Sequence, residues 1–286
     1  MRNNEDRLGT KKKASSPAAT TQPTPQGGLA PLDFVRPTTI LSLPSGGKFY
    51  PEGHPLHGQD SIEIRQMTTA EEDILSNKSL LQKGTAIDKF LERLLVDAKV
   101  GPQDLLIGDK NAVLIQARID GYGSDYTTKV SCPACAAKQT FTFDLAECIQ
   151  ELGTGTEEVD GVTQNEVGNF VLTLDNGWLV ELKPLTGADE NKLVKTTQSK
   201  KKAGLAETLV QDQLNTMIVS VSGHTDRGTI AQAVQHMSGK QSRLIRDTYK
   251  KVIPNIELRS DFECNECGAT SEMEVPLNAD FFWSSS

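Results

Sequence analysis

No apolar run in this 286-residue chain approaches the roughly 20 residues that a bilayer-spanning helix needs, so no membrane span is expected. The N-terminus also lacks the apolar core of a secretory signal, which points to a reducing, cytosolic setting. Basic side chains are in deficit: 30 Lys and Arg against 38 Asp and Glu leave a net charge of −8. That is the wrong sign for a general nucleic-acid footprint. The four histidines, His54, His57, His224 and His236, are scattered. His54 and His57 fall in a Pro/Gly-rich loop where solvent contact is expected, and none has the spacing of a second metal site or a triad partner. There is no G-x-S-x-G elbow, no dinucleotide fingerprint and no H-E-x-x-H. Ser45-Gly46-Gly47-Lys48 is not a phosphate loop, because its first glycine is missing and Phe49 stands where Ser or Thr is required. Asp104 and Asp109 are the one pair of neighbouring carboxylates with catalytic interest, but each stands where a helix N-cap is expected. No enzyme and no small-molecule substrate are expected.

Cysteine is scarce as well, with five in the chain. Four of the five form two C-x-x-C motifs, Cys132-Pro-Ala-Cys135 and Cys264-Asn-Glu-Cys267. Two thiolates three positions apart can reach one ion when a tight knuckle points both side chains inward. Two such knuckles supply the four soft ligands of a tetrahedral structural zinc site. Redox chemistry would need a helix N-terminus after C-x-x-C to stabilise a thiolate, whereas β-type sequence follows both motifs; a metal-free pair is the other alternative. Cys148 reads as a buried small apolar residue. A closed four-cysteine site has no open position for substrate, so Zn2+ here would be structural.

Residues 1–30 carry five basic and two acidic side chains, so the rest of the chain stands near −11. They are polar, with Lys11, Lys12 and Lys13 in a run, and cannot bury enough apolar surface to order. This tail is either simply solvated or a docking arm for an acidic partner. Residues 31–60 read as an extended arm whose Phe49 and Tyr50 pack on a neighbouring surface, within the chain or on another subunit. From Ser61 to residue 152 follow a strand at Ile62–Arg65 and a helix started by Thr68, Thr69, Glu71 and Glu72. A second helix covers Ala86 to Leu95, and a third follows Gly108-Asp109-Lys110. Strands then flank the first knuckle. Residues 153–168 form a polar linker. Residues 169–286 open with a hairpin turned at Asp175-Asn176-Gly177. Helices are expected near 187–196, 205–220, 229–235 and 239–251, with Lys200, Lys201 and Lys202 solvated between two of them. Strands flank the second knuckle. The fold class is α+β: two related halves, each a helical subdomain with a small zinc-knuckle-like hairpin, preceded by a disordered tail.

The relation between the halves rests on a direct match. Residues 62–73 and 180–191 share four identities and six conservative pairs in twelve positions. Glu63, Thr68, Ala70 and Glu72 correspond to Glu181, Thr186, Ala188 and Glu190. Internal duplication explains the match, with chance similarity of amphipathic elements as the alternative. One zinc ion between the halves would staple them, and structural zinc can contribute about 10 kcal/mol of folding free energy.

Several segments, taken in order, resemble the baseplate hub proteins of contractile-tailed, T-even-type bacteriophages. They are Leu43-Pro-Ser-Gly-Gly-Lys-Phe-Tyr-Pro51, the Met67–Glu72 turn, Asp104-Leu-Leu-x-Gly-Asp-Lys-Asn111, Arg118-x-x-x-Tyr122-Gly123, the two cysteine pairs and the ending Pro276–Trp283. The similarity spans about residues 38–283. One departure is Ala136 after Cys135, where Gly268 follows Cys267 in the second knuckle. The resemblance implies a structural or assembly part of the hub that contacts other phage baseplate and tail proteins. It would be made in the bacterial host cytoplasm, and either remain in the virion tail or act as an assembly chaperone. Phe281, Phe282 and Trp283 suit a partner-binding anchor, or else pack back on the second knuckle. The alternative function is a zinc-ribbon nucleic-acid-binding regulator, which the acidic residues Glu263, Glu266, Glu272 and Glu274 around the second knuckle oppose.

Overall fold

The computed structural model describes residues 35–153, 159, 161–275, 281 and 282. The expected tail 1–30, much of the expected linker, and Trp283 lie outside them. Arg36–Ser286 form one compact unit of mixed helix and strand.

The segment read as an arm begins with strand β1 (Thr38–Ser42), paired antiparallel to β2 (Ser61–Arg65). β2 alternates buried Ile62 and Ile64 with exposed Glu63, as a half-buried strand must. It leads into α1 (Thr69–Ser76), capped by Thr68 and Glu71 in a reciprocal capping box. Short α2 (Lys78–Lys83) and α3 (Ala86–Leu94) follow, and α3 buries Phe90, Leu91 and Leu94 on one face. After α3 the chain returns to β2 through a bridge between Leu95 and Ile64. Then come α4 (Ile107–Tyr122) and the hairpin β3 (Asp125–Ser131) and β4 (Lys138–Asp144). A turn of helix, α5 (Leu145–Cys148), and β5 (Ile149–Leu152) complete this part.

The second part starts with β6 (Val162–Gln164), which falls inside the expected linker, then β7 (Phe170–Thr173) and β8 (Leu179–Leu182). Gly177 takes φ +82° in the turn between β7 and β8, a conformation nearly reserved for glycine. β8 leads into α6 (Gly187–Lys202), again through a capping box, here Thr186 with Asp189. The helix expected to end near 196 therefore runs six residues further. Lys200, Lys201 and Lys202 form its last turn rather than a loop, where the helix dipole favours cations. Lys200 also pairs with Asp212 at 2.6 Å. The helix expected over 205–220 is instead α7 (Leu209–Met217) followed by β9 (Ile218–Val221). The β-branched run Ile218-Val219-Ser220-Val221 gains more by pairing with β8 than by extending a helix. α8 (Arg227–His236), α9 (Gly239–Val252), β10 (Asn255–Glu263) and β11 (Thr270–Glu274) close the chain.

Sheet order is β1-β2, β3-β4, β6-β7-β8-β9 and β11-β10-β5. Two apolar cores result. One gathers residues from Leu43 to Cys148 together with Leu258, Phe262, Cys264, Val275, Phe281 and Phe282. The other lies between Val162 and Val252. The second knuckle hairpin thus packs with the earlier part of the chain. Phe49 touches both cores and meets Phe170 in a tilted contact with ring centroids 5.6 Å apart. Backbone bonds from Ile107 N to Leu185 O and from Gly187 N to Leu105 O also join the two parts. A Cβ on Gly187 would stand 2.1 Å from Pro102 O, so only glycine allows this approach.

Two buried carboxylates fix the first part. Glu71 accepts from Thr68 N and Oγ1 and pairs with Arg36 at 2.8 Å and Arg93 at 3.3 Å. Burial pushes its pKa up, but the Thr68 hydrogen bonds and Arg36 outweigh burial and hold it below the usual carboxylate value. Its contribution is therefore complete above the unfolded-state pKa of about 4.3 and lost as pH falls through the lower, folded-state value. Glu71→Gln should flatten the acid side of the stability–pH curve, as measured by urea unfolding from pH 3 to 7. Asp109 is not the helix cap expected from sequence. α4 starts two residues earlier, with Leu106 at the N-cap, and Asp109 points into the core. It accepts from Ser45 N at 3.0 Å, Ser45 Oγ at 2.7 Å and Tyr50 Oη at 2.7 Å.

Candidate metal centre

Each cysteine motif occupies a six-residue loop between antiparallel strands, closed by Ser131 opposite Lys138 and by Glu263 opposite Thr270. The loops have the same internal bonds. Cys132 N donates to Ala137 O (2.8 Å) and Ala136 N to Cys132 O (2.9 Å). Cys264 N donates to Ala269 O (3.0 Å) and Gly268 N to Cys264 O (2.9 Å). The residue after the second cysteine is left-handed in both, with φ +59° at Ala136 and +67° at Gly268. Ala136 therefore keeps the knuckle conformation and carries its strain. Ala136→Gly should raise stability by about 1 kcal/mol and Gly268→Ala should lower it similarly, both read by thermal unfolding.

The loops meet. Phe141 of β4 packs against Phe262 of β10, rings tilted at 59° and centroids 5.4 Å apart. Gln139 spans the gap, donating to Glu263 O and accepting from Asn265 N, each at 3.0 Å. Sequence reasoning missed Gln139, and nothing in a lone strand glutamine could have signalled it. The four sulfurs of Cys132, Cys135, Cys264 and Cys267 lie within 4.8 Å of one another. Cys132 Sγ is 3.9 Å from Cys267 Sγ, and Cys135 Sγ is 3.8 Å from Cys264 Sγ. These distances exclude disulfides, and all five cysteines are free thiols. A tetrahedral ion bonded to sulfur at about 2.3 Å requires sulfurs about 3.8 Å apart, so the cluster can hold a metal ion. Cys132 and Cys264 are buried while Cys135 and Cys267 are exposed.

The thiols are electrostatically linked. The backbone N–H of Cys135, with that of Ala134, pulls Cys132 down to about 7. The Ala137 N–H pulls Cys135 down too, but the neighbouring thiols, Cys267 first, push it up to about 12. Successive thiolates crowded this closely repel, and a cation relieves that repulsion. Strands follow both motifs, so neither has the helix N-terminus that would activate a redox thiolate. Cys148 is buried and is not part of the cluster.

The aromatic candidates are mostly interior. Tyr50 is 4% exposed, Phe281 6% and Phe282 7%. Phe282 meets Phe90 edge-on at 5.3 Å and Phe281 meets Tyr126 at 5.3 Å. Buried Arg118 donates to Phe281 O at 2.8 Å. The C-terminal pair therefore packs back on α3, α4 and β3 rather than on the second knuckle. His54 stacks on Tyr50 at 4.6 Å and His57 Nδ1 lies 2.6 Å from Tyr50 O, so their loop is anchored on Tyr50 while His57 stays exposed to solvent, as expected, and His54 is half-buried.

A family model described as T4 bacteriophage base plate protein matches residues 36–283. No curated protein and no solved structure matches the chain.

Proposed function

We propose that this chain, which belongs to the T4 bacteriophage base plate protein family, is a structural and assembly component of a contractile tail's baseplate hub. A four-cysteine zinc site holds its shape, and it has no catalysis of its own. The observation that carries the metal reading is the meeting of thiols 135 and 129 positions apart at the edge length of a tetrahedral thiolate site. Borderline-soft zinc suits four thiolates, and with four protein ligands no position remains for substrate.

The two halves are copies of one ancestral unit. Three correspondences support this. β2 and β8 each feed a helix through a Thr-based capping box. α3 and α7 each return to that strand, by the Leu95 bridge and by β9. α4 and α9 each precede a cysteine hairpin. The ion then sits between equivalent ends of the copies.

Its partners are other baseplate and tail proteins, met in the host cytoplasm during assembly and retained in the virion tail. Phe49, Tyr50, Phe281 and Phe282 serve the fold, which leaves Trp283 as the aromatic contact for a partner. Protein purified without chelators should carry one zinc per chain and should co-purify with baseplate proteins of the same phage. Folded protein free of metal would overturn the staple, and recovery of no baseplate partner would overturn the assembly role.

A further inference from the structure

Among the described residues, two surfaces of opposite sign carry charges that nothing neutralises. The first is the outer face of the sheet β5-β10-β11. Alternation along β10 puts Glu257, Arg259, Asp261 and Glu263 on one side, and pairing with β11 adds Glu274 opposite Arg259 and Glu272 opposite Asp261. Five carboxylates face one guanidinium, leaving four negative charges uncompensated. Arg259 is already held by Glu257 at 2.8 Å and Glu272 at 3.0 Å. Asp261 directly across from Glu272 is a like-charge cross-strand pair, which weakens a sheet unless something positive covers it. A hollow of about 380 Å³ beside this face adds Asp144 and Glu147 to its rim.

The second surface is α6. Of its 16 residues only Gly187 is fully buried and eight are exposed, so the helix lies on the body with one side open. Lys192, Lys195 and Lys202 share one side by helical spacing, while Lys201 lies on another. None of the three on this side has an ion-pair partner among the described residues. The groove along this side, about 610 Å³, is lined by Lys192, Lys195, Lys200 and Leu205 with polar and small residues and no carboxylate.

We propose that α6 of one copy docks on the β5-β10-β11 face of a second copy. Three unneutralised ammonium groups then meet a face with four uncompensated negative charges. The two patches are different, so the contact is head-to-tail and its repetition gives a ring or a filament. The chain's net charge of −8 opposes association only at long range. At about 0.15 M salt, where the Debye length is about 8 Å, that repulsion is screened while charges in contact still attract. This goes beyond the assembly role by naming the surfaces and the occupant, and it does not depend on the identity of the hub partners.

Sedimentation velocity on the full, metal-loaded chain tests it. Association should be strongest near 0.1 M salt and weaken by about tenfold or more at 0.5 M. Lys192→Glu with Lys195→Glu, or Asp261→Lys with Glu274→Lys, should each weaken it by at least about tenfold. All four substitutions in one chain should restore it. Circular dichroism identifies variants that stay folded, and Lys195→Glu and Asp261→Lys singly replace any pair that does not. A chain that remains monomeric at every concentration, or association that ignores both reversals, overturns the proposal.

Discussion

Cys264→Ser should lower stability by about 3–5 kcal/mol and the melting temperature by about 10 °C, and abolish zinc binding. The zinc finger figure of about 10 kcal/mol is an upper bound here, because two apolar cores support the fold without the ion. What the ion adds is closure between hairpins that otherwise share Phe141 against Phe262 and the Gln139 bridge. The Cys264 side chain is buried, so serine would also place a hydroxyl among sulfurs that are weak hydrogen-bond partners. A strong chelator should shift the wild type by a similar amount and leave Cys264→Ser almost unchanged. Cys148→Ser is the control: it should leave metal content unaltered. Equal melting of wild type and Cys264→Ser, with no zinc in either, would remove the staple.

Asp109→Ala should cost about 3–5 kcal/mol, because several buried donors lose their acceptor at about 1–3 kcal/mol each and relaxation recovers part of the loss. Three donors converge on this carboxylate, and Tyr50 Oη in turn accepts from Leu106 N at 3.1 Å. Alanine would leave Ser45 and the Tyr50 hydroxyl buried without acceptors and free the segment 43–50 from α4. Asp109→Asn keeps one acceptor and should cost about half as much. The pH dependence has a defined sign. Burial raises the Asp109 pKa, and the Ser45 and Tyr50 bonds pull it only partly back. The folded state thus holds this proton to higher pH than the unfolded chain does. The contribution of Asp109 is greatest below the unfolded value of about 3.9 and declines as pH rises through the folded value. That is opposite to Glu71, where the Thr68 hydrogen bonds, with Arg36, reverse the sign. Urea titrations of Asp109→Asn against wild type should show the loss of this declining component; parallel curves would contradict it.

Local signals in the sequence succeeded where a single element carries the physics. Thr68 and Thr186 each cap a helix because the capping box lies within four residues. Asp175-Asn176-Gly177 turns a hairpin because Gly177 supplies positive φ. The cysteine spacing was legible for the same reason: a knuckle is a local turn. Asp109 failed as a cap because α4 starts at Ile107, and only the packing of Ser45 and Tyr50 against it draws the carboxylate inward. β9 failed as helix because its β-branched run is decided by pairing with β8, which sequence periodicity does not record.

The sequence by itself determined the mixed fold class, the family resemblance and two knuckles able to present paired thiols. It also carried the one departure, Ala136, whose left-handed φ shows that the turn imposes its geometry even on a residue with a Cβ. Only the tertiary structure decided that the two knuckles face each other with sulfurs 3.8–3.9 Å apart. It alone sent Phe281 and Phe282 into the core beside Arg118. The reason is one of range. Turn and cap preferences are settled over three or four residues, whereas contacts between residues 129 or more positions apart depend on how every intervening element packs.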